Sequence, residues 1–455
     1  ICDMRRSASF LLGLALVVGL VSMAGAQIAR QTGVIRGVIT EKDNMPLPGM
    51  AVSVSGPSLI GTVDAVTTAD GVFRLPNLPP GTYTVTAQLQ GFKSIKQENV
   101  IVRVGQTISL SLQTEPSAIS EEIQVVATSP TVDVQSTKVG VVVSSELLQR
   151  LPLNRNLINI FNTVSGAQGT IDTYSGSIHG AQETSIPFEI DGVSSNDPAH
   201  NGLLQMPQFD TMEEIEISTG GLPAQIGNTG GGFVNIVTKS GGNTFHGQVQ
   251  AYYTEKALNQ LLFTDEQMKA MSIGKPSFMS RDIDLSAIFG GPVIKDKLWY
   301  FGSIGYRDQM SPSTFIPAVL GGTQYNQYDD PQQQFEGFVK FTTQLSKSLR
   351  LFAMVNGRLY NRDVYVGGGT YSAYDSTFTL NNNTWTQATA NLTWLAGQNT
   401  FIDFRGGYVN RWYPIKERPE TYNNINFRDG YTGYSWGAVT SWESYITRRT
   451  IQSSA

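Results

Sequence analysis

The stretch "RDIDLSAIFGGPVIKDKLWYFGSIGYR", from Arg281 to Arg307, contains two alternating runs that are joined by a very short turn. In the first run Ile283, Leu285 and Ala287 interleave with polar residues, and the second run has the same pattern. Alternation with a period of two predicts strands with one apolar and one polar face. Because only residues 295–297 separate the runs, the stretch predicts an antiparallel hairpin.

Further runs after residue 246 alternate in the same way. Their apolar faces lie within residues 247–253, 335–345, 349–359, 388–394 and 402–408, and an eighth run is expected near 440–447. Each run is about as long as the 9–11 residues with which a tilted strand crosses a membrane. The apolar faces contain no charged residue. A water-soluble sandwich also alternates, so this pattern alone does not distinguish the two folds.

The connections between these runs favour a membrane barrel. Long connections, around 255–280, 309–334 and 361–384, alternate with short ones at 295–297, 346–348 and 396–399. In a barrel of the outer membrane, tight turns lie on the periplasmic side and long loops lie outside. Aromatic residues near the run ends are expected to form interface girdles. These residues are Trp299, Tyr300, Trp394, Trp412 and Tyr413.

The composition agrees with a mainly β protein. Of 455 residues only 15% are charged, 46 are glycine and 10% are aromatic. Soluble proteins usually have about a quarter of their residues charged. The net charge is -5, so the chain lacks the excess of Lys and Arg that is typical of nucleic-acid-binding proteins, and nucleic acid is not an expected partner.

The N-terminus predicts a secretory signal peptide over residues 1–26. Arg5 and Arg6 precede an apolar run at 10–21, and Ala24-Gly25-Ala26 provides a small-residue cleavage site. The apolar run is short for a membrane helix. The single cysteine, Cys2, lies within this segment, so we expect no disulfide in the mature chain.

Short apolar strands separated by turns predict a small β-sandwich over residues 27–115. Tyr83, Val85 and Ala87 alternate with threonines, and Pro79-Pro80-Gly81 predicts a turn before them. Gly37, Pro48-Gly49, Gly91-Phe92 and "TTADGVFRLPNLPPGTYTV" (67–85) resemble the carboxypeptidase regulatory-like domain. The resemblance implies an immunoglobulin- or transthyretin-like sandwich and brings no catalytic residue.

Residues 116–131 predict a linker that contains the short extended segment "SEEIQVVATS" (120–129). On composition alone, this segment is expected to be the last strand of the sandwich or simple linker. Its position also makes it resemble the TonB box of outer-membrane receptors. An extended segment of this kind can bind a partner by adding to the edge of the partner's sheet. The box residues implied by the resemblance are Glu121, Glu122, Ile123, Gln124, Val125, Val126 and Ala127.

Residues 132–243 mix helix and strand signals and predict an α+β domain. Ser144 or Ser145 is expected to cap a helix that ends before Pro152, and Asp191-Gly192 predicts a hairpin turn. The glycine-rich stretch at 227–247 is not a Walker loop, because Thr238 precedes Lys239 where that loop needs glycine. We therefore expect its glycines to allow close backbone packing.

The same region resembles the plug domain of TonB-dependent receptors, and "FGGPVIKDKLWYFGSIGYR" (289–307) resembles the Oar-like members of that family, with SusC-like receptors as further relatives. The resemblance rests on Leu151-Pro152-Leu153, Ile190-Asp191-Gly192-Val193, Glu214-Ile215-Glu216-Ile217 and the stretch 231–239. The plug signature residues that it implies are Arg155, Asp191, Gly192, Gly231, Gly232, Asn235 and Lys239. Tyr174, His179 and Asn196 are candidate ligand contacts.

The expected order is therefore signal peptide (1–26), sandwich (27–115), linker (116–131), plug (132–243) and the first strands of an incomplete 22-strand barrel (244–455). The family resemblance implies a receptor in the outer membrane of a Gram-negative cell, with its N-terminal domain in the periplasm. It implies uptake of a large nutrient such as an oligosaccharide, a peptide or a chelate. The implied partners are the inner-membrane TonB complex, outer-membrane lipid and the nutrient, and a surface lipoprotein is a further candidate.

An adhesion or surface-assembly protein that uses the same barrel to present loops is the alternative function. A secreted β-sandwich enzyme is a weaker alternative. The three histidines show no metal-ligand spacing, and no serine has the sequence context of a catalytic nucleophile. We therefore expect no cofactor, no metal and no enzymatic activity.

Overall fold

The computed structural model describes residues 31–454 except for short segments. These segments are 118–121, 126–137, 151–154, 156, 170–175, 198–201, 205, 223–225, 227–228, 259–263, 271–279, 314–327, 366–377, 397–400, 418–425, 429–434 and 438–443. The predicted signal peptide lies outside the described residues. Within the described ranges, no helix is long and apolar enough to cross a bilayer.

The N-terminal part is a β-sandwich. Its strands are β1 (Gly33–Glu41), β2 (Ala51–Ser55), β3 (Val63–Val66), β4 (Val72–Leu78), β5 (Gly81–Gln88), β6 (Ser94–Val102), β7 (Thr107–Thr114) and β8 (Glu122–Val125). One sheet has the order β4-β1-β7, and the other has the order β3-β2-β5-β6-β8. Tyr83, Val85 and Ala87 of β5 are buried between the sheets, as their alternation predicts. The Tyr83 hydroxyl donates a hydrogen bond of 2.6 Å to the Pro79 carbonyl, which fixes the turn before β5.

The middle part is an α+β domain around one five-stranded sheet. Its elements are β9 (Val139–Ser144), α1 (Ser145–Arg150), α2 (Leu157–Phe161), β10 (Ala167–Gln168), β11 (Ser177–Ile178), β12 (Phe188–Ile190), β13 (Val193–Ser194), β14 (Met212–Gly220) and β15 (Phe233–Thr238). Two 3₁₀ turns, Glu183–Ser185 and Phe209–Thr211, lie between strands. The sheet order is β13-β12-β15-β14-β9. The Ser144 hydroxyl accepts a hydrogen bond from the Leu147 backbone, so the predicted helix cap is present.

The C-terminal part is a large antiparallel sheet of long strands. Its strands are β16 (His246–Glu255), β17 (Arg281–Ile294), β18 (Leu298–Ser313), β19 (Tyr328–Ser346), β20 (Leu349–Tyr365), β21 (Phe378–Leu395) and β22 (Phe401–Glu417). A small hairpin follows, formed by β23 (Asn426–Arg428) and β24 (Ser435–Gly437), and β25 (Ser444–Ser454) then pairs with β22 as the eighth strand of the sheet. A short helix, α3 (Asp265–Ala270), lies between β16 and β17.

The outward side of this sheet is apolar and exposed, as the alternation predicts. Val249 is 83% exposed, and Ile304 and Phe335 are also exposed. The opposite side contacts the middle domain, because Ile288, Phe301, Phe338 and Met354 share one hydrophobic core with that domain. The large sheet is therefore a barrel wall whose inward side is covered by the middle domain.

Two details differ from the sequence predictions. Trp299 is not a girdle residue, because it is 1% exposed and its indole donates to Asn243 on the inward side. The strands also continue into the segments that we expected to be loops, so that Gln309 pairs with Gln332. Backbone pairing continues there without apolar alternation, because a strand beyond the hydrocarbon has no need of an apolar face.

Candidate functional site

The contact between the middle domain and the barrel wall contains buried charges. Asp191 lies in the hairpin turn between β12 and β13, with a positive φ of 48°. Its carboxylate accepts a hydrogen bond of 3.0 Å from the Thr238 backbone and a second from the Thr238 hydroxyl. The Lys340 ammonium of β19 lies 3.0 Å from the same carboxylate. The side chains of Lys340 and Asp191 are only 5% and 2% exposed, so this ion pair joins the two parts in a site shielded from water.

Arg155 forms a second buried connection to the wall. Its guanidinium donates to Asp210 of the middle domain, and it donates to Gln250 of β16 at 3.0 Å. It also lies 3.4 Å from the Asp284 carboxylate of β17 and stacks over the Tyr252 ring at 4.4 Å. The planar guanidinium has enough donors to contact two carboxylates at once. A single plug signature residue therefore binds both the middle domain and two barrel strands.

Further polar contacts extend this interface. Ser286 of β17 donates to Asp210 at 2.6 Å, and Ser303 of β18 donates to Gln208. On β22, Arg411 lies 3.4 Å from Asp197. The inward residues of the wall are therefore matched to polar groups of the middle domain across several strands.

Two glycines of the glycine-rich stretch 227–247 pack closely against neighbouring backbone. A Cβ atom on Gly231 would lie 2.3 Å from the Ile178 carbonyl oxygen, and one on Gly232 would lie 2.6 Å from the Ser218 carbonyl oxygen. No side chain can be placed at such distances without moving the backbone. The expected packing role of these two glycines agrees with the structure, and the phosphate interpretation has no support.

Gly192 also lies against the wall, and its φ is 79°. A Cβ atom there would lie 2.6 Å from the guanidinium of Arg405 on β22. Asp191 and Gly192 together form the tight turn that the sequence predicts. This turn carries the carboxylate that Lys340 binds.

The sandwich contacts the middle domain through buried polar groups. Asn235 accepts a hydrogen bond of 2.7 Å from Gln31 and donates to Glu216 at 3.4 Å. Lys138, which immediately precedes β9, lies 2.7 Å from the Glu216 carboxylate. Asn235 is completely buried, so the signature position links the middle domain to the residues just before the sandwich.

Glu214 is the second carboxylate at this junction. The Val104 backbone donates to it at 2.7 Å, and Arg103 lies 3.5 Å away. Burial nevertheless raises the pKa of the Glu214 carboxyl to about 7, because the half-exposed Arg103 compensates only part of the lost hydration. Burial also lowers the pKa of the Lys239 ammonium at the end of β15. The junction therefore contains one carboxyl that titrates near neutral pH.

The box-like segment lies on the sandwich. Residues Glu122–Val125 form β8, which pairs in parallel with Ser94–Gln97 of β6. The composition-based expectation of a last sandwich strand therefore agrees with the structure. Glu121, Val126 and Ala127 lie outside the described residues, and the role of the segment as a TonB box stays a prediction.

The three candidate ligand contacts have different surroundings. His179 is exposed in a turn, where its backbone donates to the Gly166 carbonyl. Asn196 accepts a hydrogen bond from the Phe188 backbone and donates to the Ile186 carbonyl, so its amide stabilises the middle domain. Tyr174 lies outside the described residues. The proposed ligand contact of all three stays a prediction.

The sequence interpretation missed the barrel residues that complete these contacts. Lys340 and Asp284 were recognised only as members of the polar face of their strands, and Asp210 was not singled out. A charge on the polar face of a predicted membrane strand is the signal that could have identified the first two. Within the described residues, no group of histidine, cysteine or carboxylate side chains is arranged to hold a metal ion.

Comparisons with known proteins agree with this architecture. Residues 34–115 match the carboxypeptidase regulatory-like domain, and residues 237–320 match an outer membrane beta barrel domain. The chain is 31% identical over 298 residues to the TonB-dependent transporter Oar of Myxococcus xanthus, which covers 64% of this chain. Over this range the chain is similar to TonB-dependent receptors and transporters of the outer membrane. It spans 28% of the length of that relative.

Two solved structures of outer-membrane proteins are similar to this chain in part. The ferric enterobactin receptor PfeA of Pseudomonas aeruginosa, solved with enterobactin, aligns with a TM-score of 0.50 at 14% identity, over 69% of this chain and 46% of that one. The outer membrane transporter YddB of Escherichia coli aligns with a TM-score of 0.49 at 16% identity, over 68% and 44%. The two matched domains show that the chain has an N-terminal regulatory-like sandwich and, further along, strands of an outer-membrane β-barrel.

Proposed function

We propose that this receptor is a gated importer that takes up a large nutrient, such as an oligosaccharide, a peptide or a chelate, across the outer membrane. In this proposal residues 132–243 are the plug, residues 116–131 carry the TonB box, and the inner-membrane TonB complex supplies the energy. The barrel and the plug bind and move the solute without chemical change. A surface lipoprotein that delivers the solute is a further proposed partner.

One observation carries the proposal: a folded domain covers the inward side of the barrel wall, and buried charged and polar pairs join the two in addition to their shared apolar core. Lys340 with Asp191 and Arg155 with Asp284 are two of these charged contacts. A solute cannot pass such a domain unless the domain moves. When the domain moves, water can replace the partners of polar groups, whereas the separation of a purely apolar contact would expose apolar surface to water. The arrangement therefore suits a gate that opens against a moderate barrier.

The tight turns support a periplasmic position for the sandwich. Arg350, just after the turn at 346–348, donates a hydrogen bond to the Asn77 carbonyl of the sandwich. The sandwich therefore lies at the end of the wall that carries the short turns, which is the periplasmic end in barrels of this kind. A box segment next to the sandwich is then within reach of a partner that spans the periplasm.

Deletion of Glu121–Thr128 tests this function. Growth on a ferric siderophore, an oligopeptide and a maltooligosaccharide, each as the limiting nutrient, would be compared in cells with the intact and the deleted receptor. The matched control replaces the same residues with a Gly/Ser segment of equal length, so that the length of the chain between the two domains is unchanged. Assembly of the barrel is measured by the shift in its electrophoretic mobility on heating. We expect growth on one nutrient to be lost in both variants while the barrel still assembles.

The adhesion alternative predicts the opposite result. If both variants support growth on every nutrient as well as the intact receptor, while loss of the whole protein reduces attachment of cells to a surface, the receptor is a loop-presenting scaffold and the import proposal is wrong.

A further inference from the structure

The outer edge of β6 is already occupied by a segment of this chain. β8 is the terminal strand of its sheet, and its register pairs Ser94 with Glu122 and Gln97 with Val125. Residues 115–117 lie beside the residues just before β6, because the Lys93 backbone donates to Glu115 and the Ser117 backbone donates to Gly91. The segment that would bind the energy-coupling partner is thus a fifth strand of the sandwich sheet.

This pairing determines where tension along the chain is carried. The next described element after β8 is β9, which begins at Val139 and forms the edge of the middle-domain sheet. While β8 stays on β6, a pull on β8 is opposed by the backbone hydrogen bonds of the ladder and is borne by the sandwich. Only after the ladder opens does the pull pass along the chain to β9.

The ladder is short enough to open reversibly. Within the described residues it covers Glu122–Val125, and its strands are parallel, which makes each pair slightly less stable than in an antiparallel ladder. By contrast, β6 pairs with β5 over a longer antiparallel ladder from Ile95 to Val102. β8 can therefore leave the sheet without unfolding the strand that holds it.

We propose that the outer edge of β6 is a docking surface for Glu122–Val125, and that an energy-coupling partner that pairs with this same edge of β8 must separate β8 from β6 before it can act on the plug. The inference rests on the proposed function, because it takes the segment to be the partner-binding box. It adds a regulatory role for the sandwich, which holds the segment until a partner competes for it.

A disulfide across the ladder tests the proposal in the full-length receptor in outer-membrane vesicles. Lys96 and Gln124 are register partners, so the K96C/Q124C variant should form an intramolecular disulfide on oxidation. The S94C/Q124C variant is the matched control, because its two positions are out of register by two residues. Cys2 of the predicted signal peptide is the only cysteine among these 455 residues, and a receptor without the engineered cysteines gives the background crosslinking.

Binding of the purified periplasmic domain of the TonB protein from the same organism is then measured before and after reduction. We expect the oxidised K96C/Q124C receptor to bind this domain at least tenfold more weakly than the reduced receptor, and the control to be unaffected by oxidation. Failure of the in-register pair to crosslink would overturn the docking. A crosslinked receptor that binds the domain with full affinity would overturn the competition.

The failure of the proposed function has a different signature. If the receptor without Glu121–Thr128 still binds the periplasmic domain with full affinity, the segment is not the box. The yield of the K96C/Q124C disulfide does not depend on that result, because it reports only whether β8 lies on β6.

Discussion

Replacement of Lys340 by methionine should loosen the middle domain from the barrel wall. Methionine has a similar length but no charge, so the Asp191 carboxylate would stay buried with only its two hydrogen bonds from Thr238. Removing one partner of a buried ion pair costs about 3–5 kcal/mol, because it leaves an uncompensated buried charge. The Lys340 side chain is 5% exposed, so little of this cost is recovered by water.

The assay is amide hydrogen exchange of β15 in outer-membrane vesicles. Its backbone at Thr238 lies beside the pair, and the strand is central in the middle-domain sheet. A loss of about 3 kcal/mol corresponds to exchange that is roughly a hundredfold faster, since each 1.4 kcal/mol is tenfold. Lys347→Met is the matched control, because Lys347 is exposed in a tight turn and its loss should change exchange by less than about 0.5 kcal/mol.

The double variant Asp191→Asn/Lys340→Met isolates the pair. Because both charges are removed together, its loss of stability should be smaller than the sum of the two single losses. Equal exchange rates in the Lys340→Met and Lys347→Met receptors would refute the anchoring role of the pair. Additive losses in the double variant would refute the direct coupling between the two charges.

Two further results are expected. Because burial raises the folded-state pKa of Glu214 from its ordinary 4.5 to about 7, the folded state binds more protons than the unfolded state between these values, and stability should fall by about 3 kcal/mol as the pH rises from about 4.5 to about 7. The Glu214→Gln variant should unfold thermally with a weaker dependence on pH over this window, and an unchanged dependence would contradict the assignment. Gly231→Ala should destabilise the middle domain by about 1–3 kcal/mol, because the new Cβ meets the Ile178 carbonyl. Gly337→Ala, where a Cβ enters open space, is its control, and equal amide exchange of β15 in the two variants would contradict the packing argument.

The secondary structure of the barrel wall could be predicted from the sequence because it depends on local pattern. Alternation with a period of two assigns each side chain to one face, and the short turn at 295–297 fixes which strands are neighbours. Trp299 shows the limit of this reasoning. Aromatic residues near strand ends are typical of girdles, but the alternation of its own strand places Trp299 on the inward face, where it contacts Asn243.

The plug signature illustrates a second limit. Arg155, Asp191 and Asn235 were identified from resemblance, but their partners were not. The partners of Arg155 lie on the barrel as well as in the middle domain, and Gln31 is 204 residues from Asn235 along the chain. A motif identifies a signature residue, but it does not show which strand of the barrel or of another domain will contact that residue.

By itself, the sequence determined the strands, their tight turns and the apolar outward side, because each of these depends on neighbours within a few residues. The tertiary structure alone decided that Lys340 meets Asp191 across 149 residues and that Glu122–Val125 rests on β6. Such contacts depend on the register of whole sheets and on how domains dock, and a local pattern of side chains determines neither of these.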